Sequence, residues 1–169
     1  VLTRLLYGAR VSLAVGIIPT IASMVIGVLL GMISGYVGGI VDAVIMRLAD
    51  VVLSFPSLLL AMVIMYTLGD GITSIFIALA ITSWAGVARV IRSETLTLRE
   101  TEYVEAARSM GVKDFTIILR HVFPNCIPSL IVLFTLDVPS AILSESALSF
   151  LGIGVQLPNS SWGLMVNMG

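Results

Sequence analysis

Apolar residues run almost unbroken along this chain. The few polar interruptions leave four stretches of the length that crosses a bilayer, ~20 apolar residues for ~30 Å of hydrocarbon. Val11 to Val41 carries no charge, which predicts a first span over residues 11–36, ended by Gly38-Gly39. Asp42, Arg47 and Asp50 then mark a short amphipathic segment. Residues 51–69 predict a second span with Pro56 in its first third, between Ser54 and Ser57, whose hydroxyls can take up backbone groups freed at a kink. Asp70-Gly71 reads as a tight turn, and residues 71–88 as a third span leaving the bilayer at Trp84 and Arg89. A fourth span, residues 126–144, is reached through Pro124 and Pro128. Residues 146–169 carry no charge, yet Gln156, Pro158, Asn159, Ser160 and Ser161 interrupt them too often for a span, which predicts an outer or re-entrant loop. The expected fold class is all-α, a polytopic membrane helix bundle.

The segment between the third and fourth spans, residues 89–125, breaks the pattern. Arg89, Arg92, Arg99, Arg108, Lys113 and Arg120 make up six of the nine basic residues of the chain, so this segment does not sit in lipid. Within it Tyr103, Ala106, Ala107 and Met110 recur at i, i+3, i+4 and i+7, the spacing of one helix face. Thr101 is placed to cap this helix, Glu102 and Glu105 lie in its first turn, and Gly111 is placed to close it in a left-handed conformation. Val112, Phe115, Leu119 and Val122 continue at similar spacing until Pro124, so two short helices are expected to meet at a glycine. Ala106 and Ala107 stand where a core helix would carry larger residues, giving a low-relief face that another protein's backbone can approach. The same pattern also suits a helix packing back on the chain's own spans.

Two features inside the apolar stretches invite a role. Ser23, Gly27, Gly31 and Gly35 recur every four residues, a smooth stripe for close helix packing, either within the chain or against a second subunit. Asp137, beside Pro139, is the one strongly intramembrane charge, and such carboxylates are costly and often functional. Pro56 and Asp137 are therefore the candidates for lining a pathway, with a structural bend and a hydroxyl-paired side chain as the plainer uses.

With 58% hydrophobic and 11% charged residues and a mean hydropathy of +1.10, the composition is that of an integral membrane protein. A net charge of −1, with the basic residues matched locally by acidic ones, argues against nucleic acid as a partner. One His and one Cys, no metal-spaced ligand pair and no Gly-rich loop ending in Lys-Ser or Lys-Thr leave no candidate catalytic or metal residue and no phosphate site. His121 is too isolated to suggest a site, and Cys126 has no partner for an internal disulfide.

Glu105-Ala106-Ala107, then Gly111 three residues beyond Arg108, then His121 and Pro124-Asn125, resemble the E-A-A loop of the membrane subunits of bacterial ABC importers. The stretch SESALSFLGIGVQLPNSSWG, Ser144 to Gly163, is similar to the dipeptide, oligopeptide and nickel permease branch of that family. The resemblance implies a permease subunit and not an enzyme. It implies that Tyr103, Glu105, Ala106, Ala107, Arg108, Met110 and Gly111 form a cytoplasmic coupling helix docking on an ATP-hydrolysing subunit. Gly27, Gly31 and Gly35 would serve permease packing. ATP and magnesium would be held by two partner ATPase subunits and no cofactor by this chain. The other implied partners are a second, homologous permease and an extracytoplasmic solute-binding protein, which would dock near Leu148–Gly152 and Trp162-Gly163. Glu145 matches a family position near the outer end of its span, whereas Asp137 departs from the family pattern.

Resembled subunits usually have six spans and more residues at both ends, so the expectation is a single permease domain incomplete at both ends. Placing the E-A-A loop in the cytoplasm of a bacterial or archaeal cell puts seven basic residues (the six above and Arg47) on that side, and Arg4 and Arg10 on the other. That is the bias the positive-inside rule expects. The substrate class implied is short peptides, with nickel or another small solute next. A proton-coupled secondary transporter using Asp137, or a non-transporting scaffold whose loop recruits a soluble protein, are the readings of a different class.

Overall fold

The computed structural model describes residues 2–69, 71–154 and 161–162, with side chains from Gly8 onward. Among them the regular elements are all helical: α1 (Leu2–Val37), α2 (Gly39–Leu53), α3 (Ser57–Leu68), α4 (Ile72–Arg99), α5 (Glu102–Ser109) and α6 (Asp114–Ile117), then a π-helical turn (Ile118–Val122) that runs into α7 (Phe123–Phe150). Gly8–Val37, Ile72–Arg99 and Asp114–Phe150 are each long and apolar enough to cross a membrane, and α2 with α3 supplies a fourth crossing if that broken pair counts as one.

Several boundaries differ from the sequence pattern, each for a local reason. The first helix does end at the glycine pair, where Gly38 and Gly39 take φ of +71° and +57°. The second stretch is not one kinked helix. The chain breaks between Leu53 and Ser57, because Pro56 has no N–H to give and starts a new helix from an extended conformation (φ −56°, ψ 125°). Ser54 does take up a freed carbonyl there, its hydroxyl donating to Val51 O at 2.7 Å. Helix α4 does not stop near Arg89. It continues for a further ten residues, with Arg89 paired to Asp50 and Arg92 to Asp42, so the first part of the charged segment, as far as Arg99, is the end of a rod. Nor does Pro124 end the helix before it. The π turn at Ile118–Val122 widens the backbone just ahead of Pro124, and one long helix results. At the far end α7 persists to Phe150, past the residue where the outer loop was expected to begin. Asp70 and most of residues 155–169 lie outside the described residues.

Packing separates the chain into two compact units. The first takes α1 as far as Ser23, Phe55–Ser83 and the chain from Phe134 on; the second takes Met24–Ser54 and Trp84–Leu133. Charge sorts with them: Arg47, Arg89, Arg92, Arg99, Arg108, Lys113 and Arg120 all belong to the second unit.

In the first unit, Val15, Ala61, Met65, Ile75, Ala78, Leu79 and Leu148 form the core. Gly16 meets α7 so closely that a Cβ there would lie 2.8 Å from Ile142. Glu145 is fully buried and accepts hydrogen bonds from Ser149 (2.6 Å) and Ser161 (2.7 Å), while the Trp162 amide donates to Ser12 Oγ at 3.1 Å. These bonds fasten residues 161–162 to α1 and α7.

In the second unit the small-residue stripe of α1 is used internally, against α4. A Cβ on Gly27 would lie 2.6 Å from Val87, on Gly31 2.6 Å from Ala88 O, and on Gly35 2.8 Å from Arg92 O. Two of these neighbours are backbone carbonyls, which cannot move aside. The reading of these glycines as a seam toward another permease gives way to a seam within the chain. Expected outcome: Gly31→Leu destabilises the protein by about 1–3 kcal/mol, the range of overpacking in a tight site. Thermal unfolding in detergent, followed by a thiol-reactive dye at the fully buried Cys126, would show the midpoint fall; an unchanged midpoint would contradict the seam.

Candidate functional site

The E-A-A residues lie on α5, held at one end of the second unit. Glu102 and Glu105 occupy its first turn and Arg108 its last, matching the dipole at both ends. Gly111 closes it as expected: at φ +77° it lets its own amide bond Arg108 O (3.0 Å) and the Val112 amide bond Ala107 O (3.2 Å), the paired bonds of a Schellman cap. Thr101 is the N-cap residue, but its hydroxyl donates backward to Leu98 O at 2.6 Å and so fastens α5 to the end of α4 rather than capping it.

The helix has two faces, and they divide the predicted residues. Val104 and Ala107, at 0% and 4% exposure, are buried with Met32, Tyr36, Val87, Ile91, Ile117 and Val122. Tyr103 (44%) and Met110 (77%) are exposed, as are Glu105, Ala106, Arg108 and Gly111. The stripe read as one face, Tyr103-Ala106-Ala107-Met110, is therefore split. Ala107 is small because it sits against the chain's own spans, while Tyr103, Ala106 and Met110 at i, i+3 and i+7 are open. Tyr103 also leans on His121, with ring centroids 6.2 Å apart.

Tyr36 was not singled out in the sequence, yet it organises this end of the unit. Its hydroxyl donates to Asp114 Oδ1 (2.8 Å) and accepts from Arg108 Nη2 (3.1 Å), and the Arg108 guanidinium lies over its ring at 5.4 Å. One phenol thus ties the last turn of α1 to α5 and α6. The Tyr36 hydrogen bond, with Asp114 and Glu105 adding charge, pushes Arg108 further above its ordinary range, so its cation is fixed at every working pH. Arg99 completes the junction by donating to Gly35 O and Tyr36 O, both at 3.3 Å, which satisfies carbonyls left open where α1 ends. A second clamp lies behind it: Arg92 grips Asp42 through Nε and Nη2, each at 2.5 Å, and Ser34 donates to the same carboxylate. A bidentate Arg–carboxylate pair fixes direction as well as distance. The available signal for these residues was a lone Tyr closing an apolar run and a lone Asp just past it.

The two pathway candidates are not brought together alike. Asp137 is half-buried and opens on a cavity in the first unit, lined also by Ser57, Thr82, Ser83, Ser140 and Ser144. Pro56 is exposed and is not among the residues lining it.

A helical bundle with several membrane-length rods and a polar helical junction defines a polytopic membrane protein. Residues 27–169 match the family described as binding-protein-dependent transport system inner membrane component, and the chain belongs to that family. It is 44% identical over 169 residues to the dipeptide transport system permease protein DppC of Bacillus subtilis, covering 100% of this chain and 53% of that protein. It is 41% identical over 167 residues to the glutathione transport system permease protein GsiD of Pectobacterium atrosepticum, covering 99% of this chain and 56% of the relative. The corresponding protein of Escherichia coli O157:H7 is 44% identical over 167 residues, 99% of this chain and 55% of its own length. The chain thus spans about half the length of the curated relatives it matches.

The two faces of α5 make opposite predictions. Ala107→Leu enlarges a filled site and costs about 1–3 kcal/mol, whereas Ala106→Leu, on the open face, changes stability by no more than about 0.5 kcal/mol. Equal losses of thermal stability in the two variants would contradict the burial pattern.

Proposed function

We propose that this chain is the membrane-spanning part of one permease subunit of an ATP-driven importer, that α5 is its contact with the ATPase, and that its cargo is short peptides. The observation that carries the reading is α5 itself. It is a family-matched helix whose inner face is fixed to α1, α4 and α6 while Tyr103, Ala106 and Met110 stay open.

An element that must take up a push from a neighbouring protein needs a free face to be gripped and a firm attachment to what it moves. On the free face Ala106 leaves a low point between the two large side chains of Tyr103 and Met110, which suits the close approach of a partner's backbone. Energy would enter as a difference in binding between two arrangements of the ATPases. The spans would then work as half of the translocation pathway, the other half coming from a second, homologous permease. An extracytoplasmic binding protein would deliver cargo, and ATP with magnesium would sit on two ATPase subunits. The concentration of basic residues in the second unit supports a cytoplasmic position for α5. Relatives named for dipeptide and glutathione transport support peptides over nickel as cargo.

Cross-linking tests this directly. In the full-length protein a cysteine at Ala106 should cross-link to the ATPase subunit from the cytoplasmic side, against little background from the buried Cys126. Ala106→Glu should leave insertion and stability intact while abolishing ATPase retention and ATP-dependent uptake. Labelling of Ala106→Cys from outside the cell, or unchanged uptake by Ala106→Glu, would overturn the proposal. Uptake that collapses with an uncoupler while ATP remains would favour a proton-coupled carrier instead.

A further inference from the structure

Asp137 stands at a place where three helices of the first unit, α3, α4 and α7, leave a cavity of about 70 Å³ whose polar lining is a carboxylate and hydroxyl groups. No side chain among the described residues donates to that carboxylate or pairs with it, although intramembrane carboxylates are ordinarily neutralised by a partner. Two of the five hydroxyls around it are already committed elsewhere. Thr82 Oγ1 donates its proton to Leu79 O (3.1 Å) and Ser144 Oγ donates to Ser140 O (2.9 Å). Each proton is spent on the hydroxyl's own helix, which leaves the oxygen lone pairs as acceptors. An unpaired negative charge with these two acceptors beside it asks for a ligand that is cationic and carries several N–H or O–H donors.

Size narrows the class. A single water needs about 10–15 Å³ of such space, so the cavity is large enough for a small head group. A primary ammonium has the charge, three diverging donors and a single narrow attachment through which the rest of a molecule can lie outside. We propose that the Asp137 cavity is a transit site for a primary ammonium group, the amino end of a peptide being the source that the proposed cargo supplies. The peptide source rests on the transport reading; the ammonium site does not.

The test uses the full-length protein assembled with its permease and ATPase partners in nanodiscs. Dicyclohexylcarbodiimide modifies membrane-embedded carboxyls, and mass spectrometry reads the modification at Asp137 by site. Methylammonium chloride should slow it about tenfold, as for a charge-assisted hydrogen-bonded ligand. Tetramethylammonium chloride at equal ionic strength, having no N–H, should not. Thr82→Val keeps the shape and the carboxylate but removes one committed acceptor, and should weaken methylammonium protection several-fold. Equal modification in all salts would overturn the proposal. Protection by sodium as strong as by methylammonium would overturn it too, in favour of a metal-cation site. A dipeptide with a free amino terminus should protect where its N-acetyl form does not. If both dipeptide forms fail while methylammonium protects, the ammonium site stands and the peptide source falls. Loss of ATP-dependent uptake in the unmodified wild-type assembly would count against the transport reading alone.

Discussion

The contact on which the second unit depends is the line where α1 and α4 touch backbone to backbone at Gly27, Gly31 and Gly35. Lipid tails are as apolar as leucine, so helices inside a bilayer gain little from hydrophobic burial against each other. They gain from close fit, and small residues make that fit possible. The tightness of the seam fixes where α1 ends relative to α4. Because Tyr36 and Arg99 sit at those ends, it also fixes the platform on which α5 rests. Close approach in the apolar part and directed polar bonds at its end form one continuous structure, and neither half would hold its geometry alone.

That continuity accounts for the division of labour along the charged segment. Tyr36, Arg108 and Asp114 are engaged with one another and tie α5 and α6 to the end of α1, while Asp42 and Arg92 form a separate pair that joins α2 to α4. Tyr103, Ala106 and Met110 are left exposed. A helix loosely tethered by its ends would absorb a push by bending its linkers. One held by a filled apolar contact and by a phenol bonded to its last-turn arginine passes the displacement on, and in the proposed transport cycle this stiffness is what couples a distant hydrolysis to the spans. The first unit follows a different logic, with a buried Glu145 that fastens Ser161 and a carboxylate at Asp137 open to a cavity.

Much of this was legible in the residues. Long uncharged runs announced the spans, Gly38-Gly39 and Gly111 announced their turns, and the E-A-A stretch with the Ser144 to Gly163 stretch announced the family. The sequence misled where charge was taken to mean loop. Trp84 and Arg89 looked like the exit of a span, but Asp50 and Asp42, some forty and fifty residues before their partners Arg89 and Arg92, allow the helix to run on. Pro124 looked like a stop because the π turn that accommodates it has no signature of its own. Ala107 looked like part of an open surface because small residues serve both for docking and for tight internal packing, and only the fold decides between them. Tyr36 was invisible because its importance lies in partners more than seventy residues away.

Hydrogen exchange on the amides of residues 102–109 in the intact membrane protein measures most directly whether α5 is rigidly joined to its spans. The account predicts exchange as slow as in the adjoining end of α4, with clear acceleration in Tyr36→Phe, which keeps the ring but loses both hydroxyl bonds. Exchange at the rate of an unstructured peptide in the wild type, or no change in Tyr36→Phe, would contradict it.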